Sequence, residues 1–244
     1  MQYNVNRFAE LPLYGLPVAV FDFETTGIDP TDCRAIELAI VHLNLGHNNA
    51  EVVFNERFNP GIPIPDEAAM IHGIGDSQVQ DCSFFWDFWP EIDGLLRDRV
   101  LAAYNLPYDW TLLNAEYRRN VSWQPTAHQH TSYGNQLFGI CGLVMARAMD
   151  SDLRGKGSHR LGAVCGRRDI EISQEHSAIG DTLASAQLIE TLMSEIRQER
   201  QERFATLRDF WAWQKMKAIE QEFGLRQWLL KKGIKNDVWP WTDY

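Results

Sequence analysis

The chain has 244 residues, of which 45% are hydrophobic and 23% charged, a composition typical of a globular protein able to bury a sizeable core. Its formal net charge is −10, which counts against broad, non-specific coating of nucleic acid because that mode of binding needs a basic surface. No apolar run is long enough to span a bilayer, and the four cysteines are scattered without a CxxC pair, so we expect a cytoplasmic protein with no membrane partner.

The first part of the chain predicts three strands joined by short connections. Residues 1–17 contain Pro and Gly and are interpreted as a lead-in. An apolar run over 18–24 predicts a buried strand, and further apolar positions predict strands over 35–45 and 51–59. The hairpin-like connections make these three strands neighbours at the start of a sheet.

Two acids interrupt the end of the first predicted strand. Asp22 and Glu24 are two residues apart, so their side chains project from the same face. Neighbouring carboxylates at the end of a buried strand repel each other and are costly to desolvate, and a hard divalent cation would remove that cost. A chance acidic pair with its head groups in water is the alternative. Glu37, inside the second strand, is interpreted as a solvent-facing or paired acid.

The next segments predict helices around a fourth strand. Asp66 is predicted to cap a short helix over 67–71, and Ser83 to cap the following helix. A buried strand is predicted over 100–104, followed by a helix over 110–120.

The second half of the chain is predicted to be mostly helical. A helix is predicted over 143–149, a short one capped by Ser158, and a long one from about Asp181. Amphipathic spacing then predicts a helix that ends at Gly224 and a short last helix over 225–232.

Residues 122–139 are the least regular part of the core. They contain His128 and His130, which are interpreted as part of a solvated loop, with metal binding as the alternative.

Three further polar residues fall at predicted element boundaries. Asp109 follows the fourth strand, in the first turn of a helix, where a carboxylate is favoured. Asp181 lies near the start of the long helix, and His176 precedes it by a spacing that places it in the loop. Each residue taken alone is most often a surface or capping residue, but together with the two acids of the first strand they suggest a site.

Four segments resemble, in order, the motifs of the DnaQ-like 3′–5′ exonucleases of the subgroup named for Asp-Glu-Asp-Asp with a histidine (DEDDh). They are FDFETTG at 21–27, MIHGI at 70–74, AYNLPYD at 103–109 and HSAIGD at 176–181. Tyr104 departs from the family pattern, because a histidine is common at its position.

The resemblance implies a ribonuclease H-like α/β fold with a mixed five-stranded sheet, its first three strands antiparallel, flanked by helices. It implies an exonuclease domain over 18–198, after the lead-in at 1–17. Residues 199–244 would form a helical, Trp-rich C-terminal extension.

The resemblance also implies hydrolysis with two divalent metal ions, Mg²⁺ or Mn²⁺. Asp22 would bridge both ions, Glu24 and Asp181 would complete the shell of the first, and Asp109 would hold the second. His176 would take the proton from the attacking water, because its ordinary pKa of ~6.5 lies near working pH.

A glycosidase would need only two carboxyl groups, so this set of residues disfavours that class.

The substrate implied is single-stranded or 3′-frayed nucleic acid, degraded to nucleoside 5′-monophosphates. Thr25, Thr26 and Gly27 would line the 3′-terminal nucleotide through backbone groups, His72 would pack on its base or sugar, and Asn105 is a further substrate-binding candidate. The sequence leaves the role open among proofreading, DNA repair, turnover of short RNA and end processing, and it also leaves open the choice between DNA and RNA.

The extension from Phe204 to Tyr244 has three interpretations. It folds back over the core, it docks a second copy of the chain or another protein, or its aromatic side chains stack on single-stranded bases. Docking would make the chain an exonuclease subunit whose main role is in a larger assembly. Local acids such as Glu220 and Glu222 disfavour the third interpretation.

Overall fold

A mixed five-stranded sheet forms the centre of the protein. The structure, a computed structural model, describes residues 6–121, 139–153, 155, 157–199 and 204–233. The strands in chain order are β1 (Pro17–Thr25), β2 (Ala35–Asn44), β3 (Glu51–Arg57), β4 (Val100–Ala103) and β5 (Ile140–Cys141). Their order in the sheet is β3-β2-β1-β4-β5.

The strand directions confirm the predicted fold class. β1 pairs antiparallel with β2 and β2 with β3, whereas β1 pairs parallel with β4 and β4 with β5. The first three strands therefore form a meander, and the parallel strands are reached through helical crossovers, as parallel pairing requires. β5 has only two residues, too few to show an apolar strand pattern in the sequence.

Helices cover both faces of the sheet. In chain order they are α1 (Asn6–Ala9), α2 (Asp66–His72), α3 (Asp76–Val79), a 3₁₀ turn (Phe85–Phe88), α4 (Trp89–Leu96), α5 (Leu106–Val121), α6 (Gly142–Met149), α7 (Leu161–Gly166), α8 (Ala178–Glu199) and α9 (Leu207–Lys231). No helix among the described residues combines the length and apolar character needed to cross a bilayer.

Alternate residues of β1 supply two separate hydrophobic cores. Val18 and Val20 belong to one cluster with the buried faces of α8 and α9, while Phe21 and Phe23 belong to the other with α4 and α5. Asp22 continues the first series, because side chains alternate across a strand. The acids of β1 therefore lie on the face of the sheet that α8 covers.

Three predicted helix caps are wrong. Asp66 is the first residue of α2, and Pro65 occupies the capping position without a side-chain hydrogen bond. Ser83 does not cap its helix, because a 3₁₀ turn comes first. Phe84 occupies the capping position of that turn, and its backbone N–H donates to the Asp87 carboxylate. The Ser158 hydroxyl donates to the Gly155 carbonyl within its own turn, before α7 begins.

The C-terminal helix α9 continues through Gly224, so the predicted break there is wrong. A glycine lowers helix stability by only ~1 kcal/mol, which the packing of the preceding turns offsets. Phe210 and Trp213 are buried in the core cluster that α8 shares with the sheet. Buried Gln214 accepts from the Cys141 N–H and donates to the Gly139 carbonyl. Its side-chain amide thus makes the hydrogen bonds that the backbone of a neighbouring strand would make to β5. The N-terminal half of α9 thus covers the core, as the first interpretation of the extension expects.

Candidate active site

Three carboxylates converge where β1 ends against the first turn of α8. Asp22, Glu24 and Asp181 each offer an oxygen, and these three atoms all lie within 4.8 Å of one another. The strand alternation places the first two on one face, and α8 brings the third across that face. The structure therefore joins residues that are far apart in the sequence.

A fourth acid approaches from α5. Asp109 lies in the first turn of that helix and is only 3% exposed. It lies beside Asp22, whose pKa its charge helps to raise; burial raises the pKa of Asp109 itself, although the nearby backbone of Phe23 acts to lower it. All four predicted acids are thus assembled at one end of β1.

Burial and mutual repulsion oppose ionisation of these acids in the protein without metal. Burial, followed by the charges of Asp109, Asp181 and Glu24, raises the pKa of Asp22 well above its ordinary value. Burial and the neighbouring acids raise the pKa of Glu24 to about 8. Burial raises the pKa of Asp181 to about 6, although the charge and backbone of His176 act to lower it. A nearby cation would favour the ionised form of all of them.

The donor set fits a hard divalent cation. Carboxylate oxygens are the ligands that Mg²⁺ and Mn²⁺ prefer. Oδ1 of Asp181 is buried and has no hydrogen-bond partner in the described part of the chain, which is unfavourable unless another group satisfies it. A cation held by Asp22, Glu24 and Asp181 would satisfy that oxygen and remove the repulsion among the three carboxylates.

His176 lies in the tight turn that precedes α8. Its backbone is left-handed, with φ of 62°, and its side chain is exposed. In the same turn, the N–H and the hydroxyl of Ser177 both donate to the Gln174 carbonyl. This geometry places the imidazole beside Asp181 and leaves it accessible to solvent, in the loop position that the sequence predicted.

The turn packs against Gly180 so closely that no side chain fits there. A Cβ at Gly180 would lie well inside van der Waals contact of the Gln174 carbonyl oxygen and 2.8 Å from its carbon. Gly180 therefore allows the loop that carries His176 to fold onto the first turn of α8.

Internal hydrogen bonds fix the small-residue loop after β1. The Thr25 hydroxyl donates to the Gly27 carbonyl at 2.7 Å, and Tyr108 of α5 donates to the same oxygen at 2.9 Å. The Thr26 N–H donates to the Arg34 carbonyl, and its hydroxyl accepts from the Arg34 N–H. Two backbone groups predicted to face a nucleotide, the Thr26 N–H and the Gly27 carbonyl, are therefore engaged within the protein.

His72 and Asn105, the two other predicted substrate-binding residues, belong to different parts of the chain. His72 ends α2, and its Nδ1 accepts from the Ile74 N–H at 3.1 Å. Burial lowers its pKa, and the nearby Thr25 backbone and His176 place it beside the carboxylate cluster. Asn105 is exposed before α5, where its carbonyl accepts from the Tyr108 N–H. Their roles in substrate binding remain predictions, and His128 and His130 lie outside the described residues.

The sequence did not predict the contacts that two residues near the site make. Tyr108 fixes the loop after β1 through its hydroxyl, and only its place before Asp109 could have indicated this. Glu37 is a paired acid, as one interpretation held, but one of its partners is the backbone of α8. The signal was an acid within the otherwise apolar first half of β2.

Sequence comparison places most of the chain in a known group. The exonuclease family model (RNase T type) matches residues 19–189. A DNA polymerase III subunit epsilon-like protein of Rhodobacter capsulatus is 28% identical over 195 residues, covering 79% of this chain and 26% of that protein. A PolC-type DNA polymerase III of Bacillus subtilis is 30% identical over 172 residues, covering 70% of this chain and 11% of that protein. The chain thus spans only a small part of these curated relatives.

Solved structures share the fold. Escherichia coli exonuclease I in complex with a dT13 oligonucleotide aligns with a TM-score of 0.57 at 21% identity, covering 76% of this chain and 42% of that one. Exonuclease X in complex with 5′-overhanging duplex DNA aligns with a TM-score of 0.56 at 18% identity, covering 80% of this chain and 99% of that one.

Proposed function

The chain belongs to the DnaQ-like exonuclease family, and on this premise we propose that it is a metal-dependent 3′–5′ exonuclease of the DEDDh subgroup. It hydrolyses phosphodiester bonds of DNA or RNA from the 3′ end and releases nucleoside 5′-monophosphates. The observation that carries the proposal is the convergence of Asp22, Glu24 and Asp181 within 4.8 Å, inside the segment that matches the family.

Two divalent ions, Mg²⁺ or Mn²⁺, complete the proposed site. Asp22 would help to hold both ions, with Glu24 and Asp181 as further ligands of the first and Asp109 as a ligand of the second. When bound, the ions supply positive charge to the attacking and leaving oxygens of an in-line displacement at phosphorus. The raised pKa values of the acids support the proposal, because they show how strongly this pocket disfavours four carboxylates without a counter-charge.

His176 is the proposed general base. Its imidazole is exposed and lies beside Asp181, so it is accessible to a water molecule at the carboxylate cluster. The left-handed turn at this residue holds it at the entrance to the carboxylate cluster rather than in the helix.

The proposed substrate is a single-stranded or 3′-frayed end. A net charge of −10 disfavours extended contact with a duplex, so binding would depend on the metal site and on the loop from Thr25 to Gly27. The two polymerase-related proteins support proofreading or repair as the setting.

A parallel nuclease assay tests this function. End-labelled single-stranded DNA, duplex DNA and RNA are incubated with purified protein in Mg²⁺, Mn²⁺ or EDTA. We expect stepwise shortening from the 3′ end that needs metal and that Asp22→Asn abolishes. The exposed β3 variant Glu56→Gln serves as the matched control and should keep normal activity. Release of nucleotides by Asp22→Asn at a near-normal rate in Mg²⁺ would overturn the assignment.

We also propose that the outer face of α9 pairs with a second copy of the chain. Met216, Ile219, Phe223 and Leu230 are 42% to 68% exposed, and they fall within about 60° of one another around the helix. Met216 and Leu230 are symmetric about Phe223, so an antiparallel pair centred there would bring apolar residues together. Such a pairing suits a two-fold interface, in which the same patch serves both subunits.

Charges along α9 support the same pairing. Glu220 and Arg226 are also symmetric about Phe223, so an antiparallel pair would place each Glu220 opposite the Arg226 of the second copy. Within one chain they pair with Lys217 and Glu222, respectively. Centrifugation should show a dimer, weakened by Glu220→Arg or Arg226→Glu alone and restored when both are combined. A monomeric wild type, or a double variant weaker than either single one, would contradict the pairing.

A further inference from the structure

Glu37 is a buried acid on β2, the strand that pairs with both β1 and β3. It is 5% exposed, and in the register of the sheet it stands opposite Glu24 of β1 on one side and Arg57 of β3 on the other. Residues directly opposite each other point to the same face, so Glu37 lies beside the carboxylates of β1. Two acids facing each other there are destabilising, which calls for a compensating contact.

The two carboxylate oxygens of Glu37 have separate partners. Oε1 accepts from Arg57 Nε at 2.8 Å, and Oε2 accepts from the backbone N–H of Ala178 at 2.9 Å. Ala178 is the first residue of α8, and the first N–H groups of a helix lack partners within it. Ser177 serves a different donor, because its hydroxyl accepts from the Gly180 N–H at 3.2 Å. Glu37 therefore caps α8 from the sheet.

The contact at Ala178 lies between the two functional residues of this segment. His176 precedes it in the tight turn, and Asp181 follows it in the first turn of α8. The Glu37 carboxylate thus ties the start of α8 to the same strand pair that holds Asp22 and Glu24. A misplacement of catalytic groups by ~1 Å can lower the rate of an enzyme ~10²-fold, so the position of the first turn of α8 relative to β1 matters to the chemistry.

We propose that Glu37 is a positioning residue that sets how closely the first turn of α8 approaches the carboxylates of β1, and so fixes Asp181 and His176. This inference rests on the proposed exonuclease function. Charge alone does not explain an acid here, since another negative group beside Asp22 and Glu24 adds repulsion. The hydrogen bonds from Arg57 and Ala178 do explain why an acid stands here. They occupy both carboxylate oxygens, and only a side chain as long as glutamate brings both oxygens to these donors.

Two substitutions at Glu37 test separately the length of the side chain and its carboxylate charge. Glu37→Gln keeps the length of the side chain but offers one acceptor for two donors. Glu37→Asp keeps the charge but is one methylene too short to hold both partners. We expect kcat to fall about 10–100-fold in both variants, with KM within about threefold of wild type.

Glu116 provides the matched control. It is 2% exposed, and it likewise joins an arginine and a backbone donor, accepting from Arg34 Nε at 2.9 Å and from the Ala35 N–H at 3.0 Å. We expect Glu116→Gln to lower the midpoint of thermal unfolding about as much as Glu37→Gln does, but to keep kcat within about threefold of wild type. An equal loss of kcat in Glu116→Gln would overturn the positioning role.

The position of His176 can also be tested without metal, by a measurement that does not depend on nuclease activity. The imidazole resonance of His176, assigned by its absence in His176→Ala, is recorded by NMR in EDTA. We expect it to shift in both Glu37 variants and to stay in place in Glu116→Gln. Wild-type kcat and an unshifted resonance in Glu37→Asp would overturn the inference. A wild type that degrades no nucleic acid would overturn the proposed function, while a shifted resonance would still support the positioning role.

Discussion

Replacing Glu24 by glutamine is expected to stabilise the protein in the absence of metal. The pKa of this carboxyl rises from 4.5 to about 8, chiefly through burial and then through the charges of Asp181 and Glu37. A raised pKa means that the folded state holds a proton that the unfolded chain releases. The contribution of Glu24 to the free energy of unfolding is therefore fully present below about pH 4.5 and is lost as the pH rises toward 8.

The magnitude follows from the interval between 4.5 and the working pH. At 1.36 kcal/mol per pH unit, ionisation of Glu24 in the unfolded chain lowers the free energy of unfolding by at most about 3 kcal/mol at pH 7, and by less than about 1 kcal/mol at pH 5. Glu24→Gln removes this loss. For a chain of this size, 3 kcal/mol raises the midpoint of thermal unfolding by about 6–12 °C.

Urea unfolding in EDTA at pH 5 and pH 7 measures the effect. The gain from Glu24→Gln should be several times larger at pH 7, whereas exposed Glu56→Gln should change little at either pH. Saturating Mg²⁺ should stabilise the wild type more than the variant, because ligand binding to the folded state adds to its stability. A variant that is less stable than wild type at pH 7, or a gain independent of pH, would refute the reasoning.

Other substitutions test single contacts of the site. His176→Ala should lower kcat about 10²–10⁴-fold while metal binding, measured by calorimetry, is kept; a loss confined to KM would show that it is not the base. Gly180→Ala should displace the Gln174 carbonyl, lower the melting temperature and slow turnover, and normal kinetics would show that the turn adapts. Tyr108→Phe removes one hydrogen bond to the Gly27 carbonyl and should lower the free energy of unfolding by about 1 kcal/mol and raise KM; an unchanged denaturation curve would contradict that bond.

Local sequence was a poor guide to where helices begin and end. Asp66, Ser83 and Ser158 have capping side chains at plausible positions, yet none caps its helix. Gly224 has the residue type that commonly ends helices, yet α9 continues through it. Such local preferences are worth ~1 kcal/mol, and packing against the rest of the protein overrides them.

In the candidate site, too, some residues could be predicted from the sequence and others could not. The four acids and His176 could be nominated from the sequence, because they lie in three segments, 21–27, 103–109 and 176–181, that resemble the family's motifs in order. Glu37 could not, because an acid inside a strand gives no sign of a backbone partner so far along the chain. Its role depends on α8 arriving over β2, which is a property of the packed structure.

The sequence by itself indicated three neighbouring strands, because apolar patterning is a local property, and its resemblance to a known family indicated the fold class and the candidate acids. Only the tertiary structure decided that Asp109 reaches Asp22, that Glu37 caps α8, and that the first half of α9 completes the core. These contacts join residues distant in the sequence, so they depend on which faces become buried together and not on the pattern of any one segment.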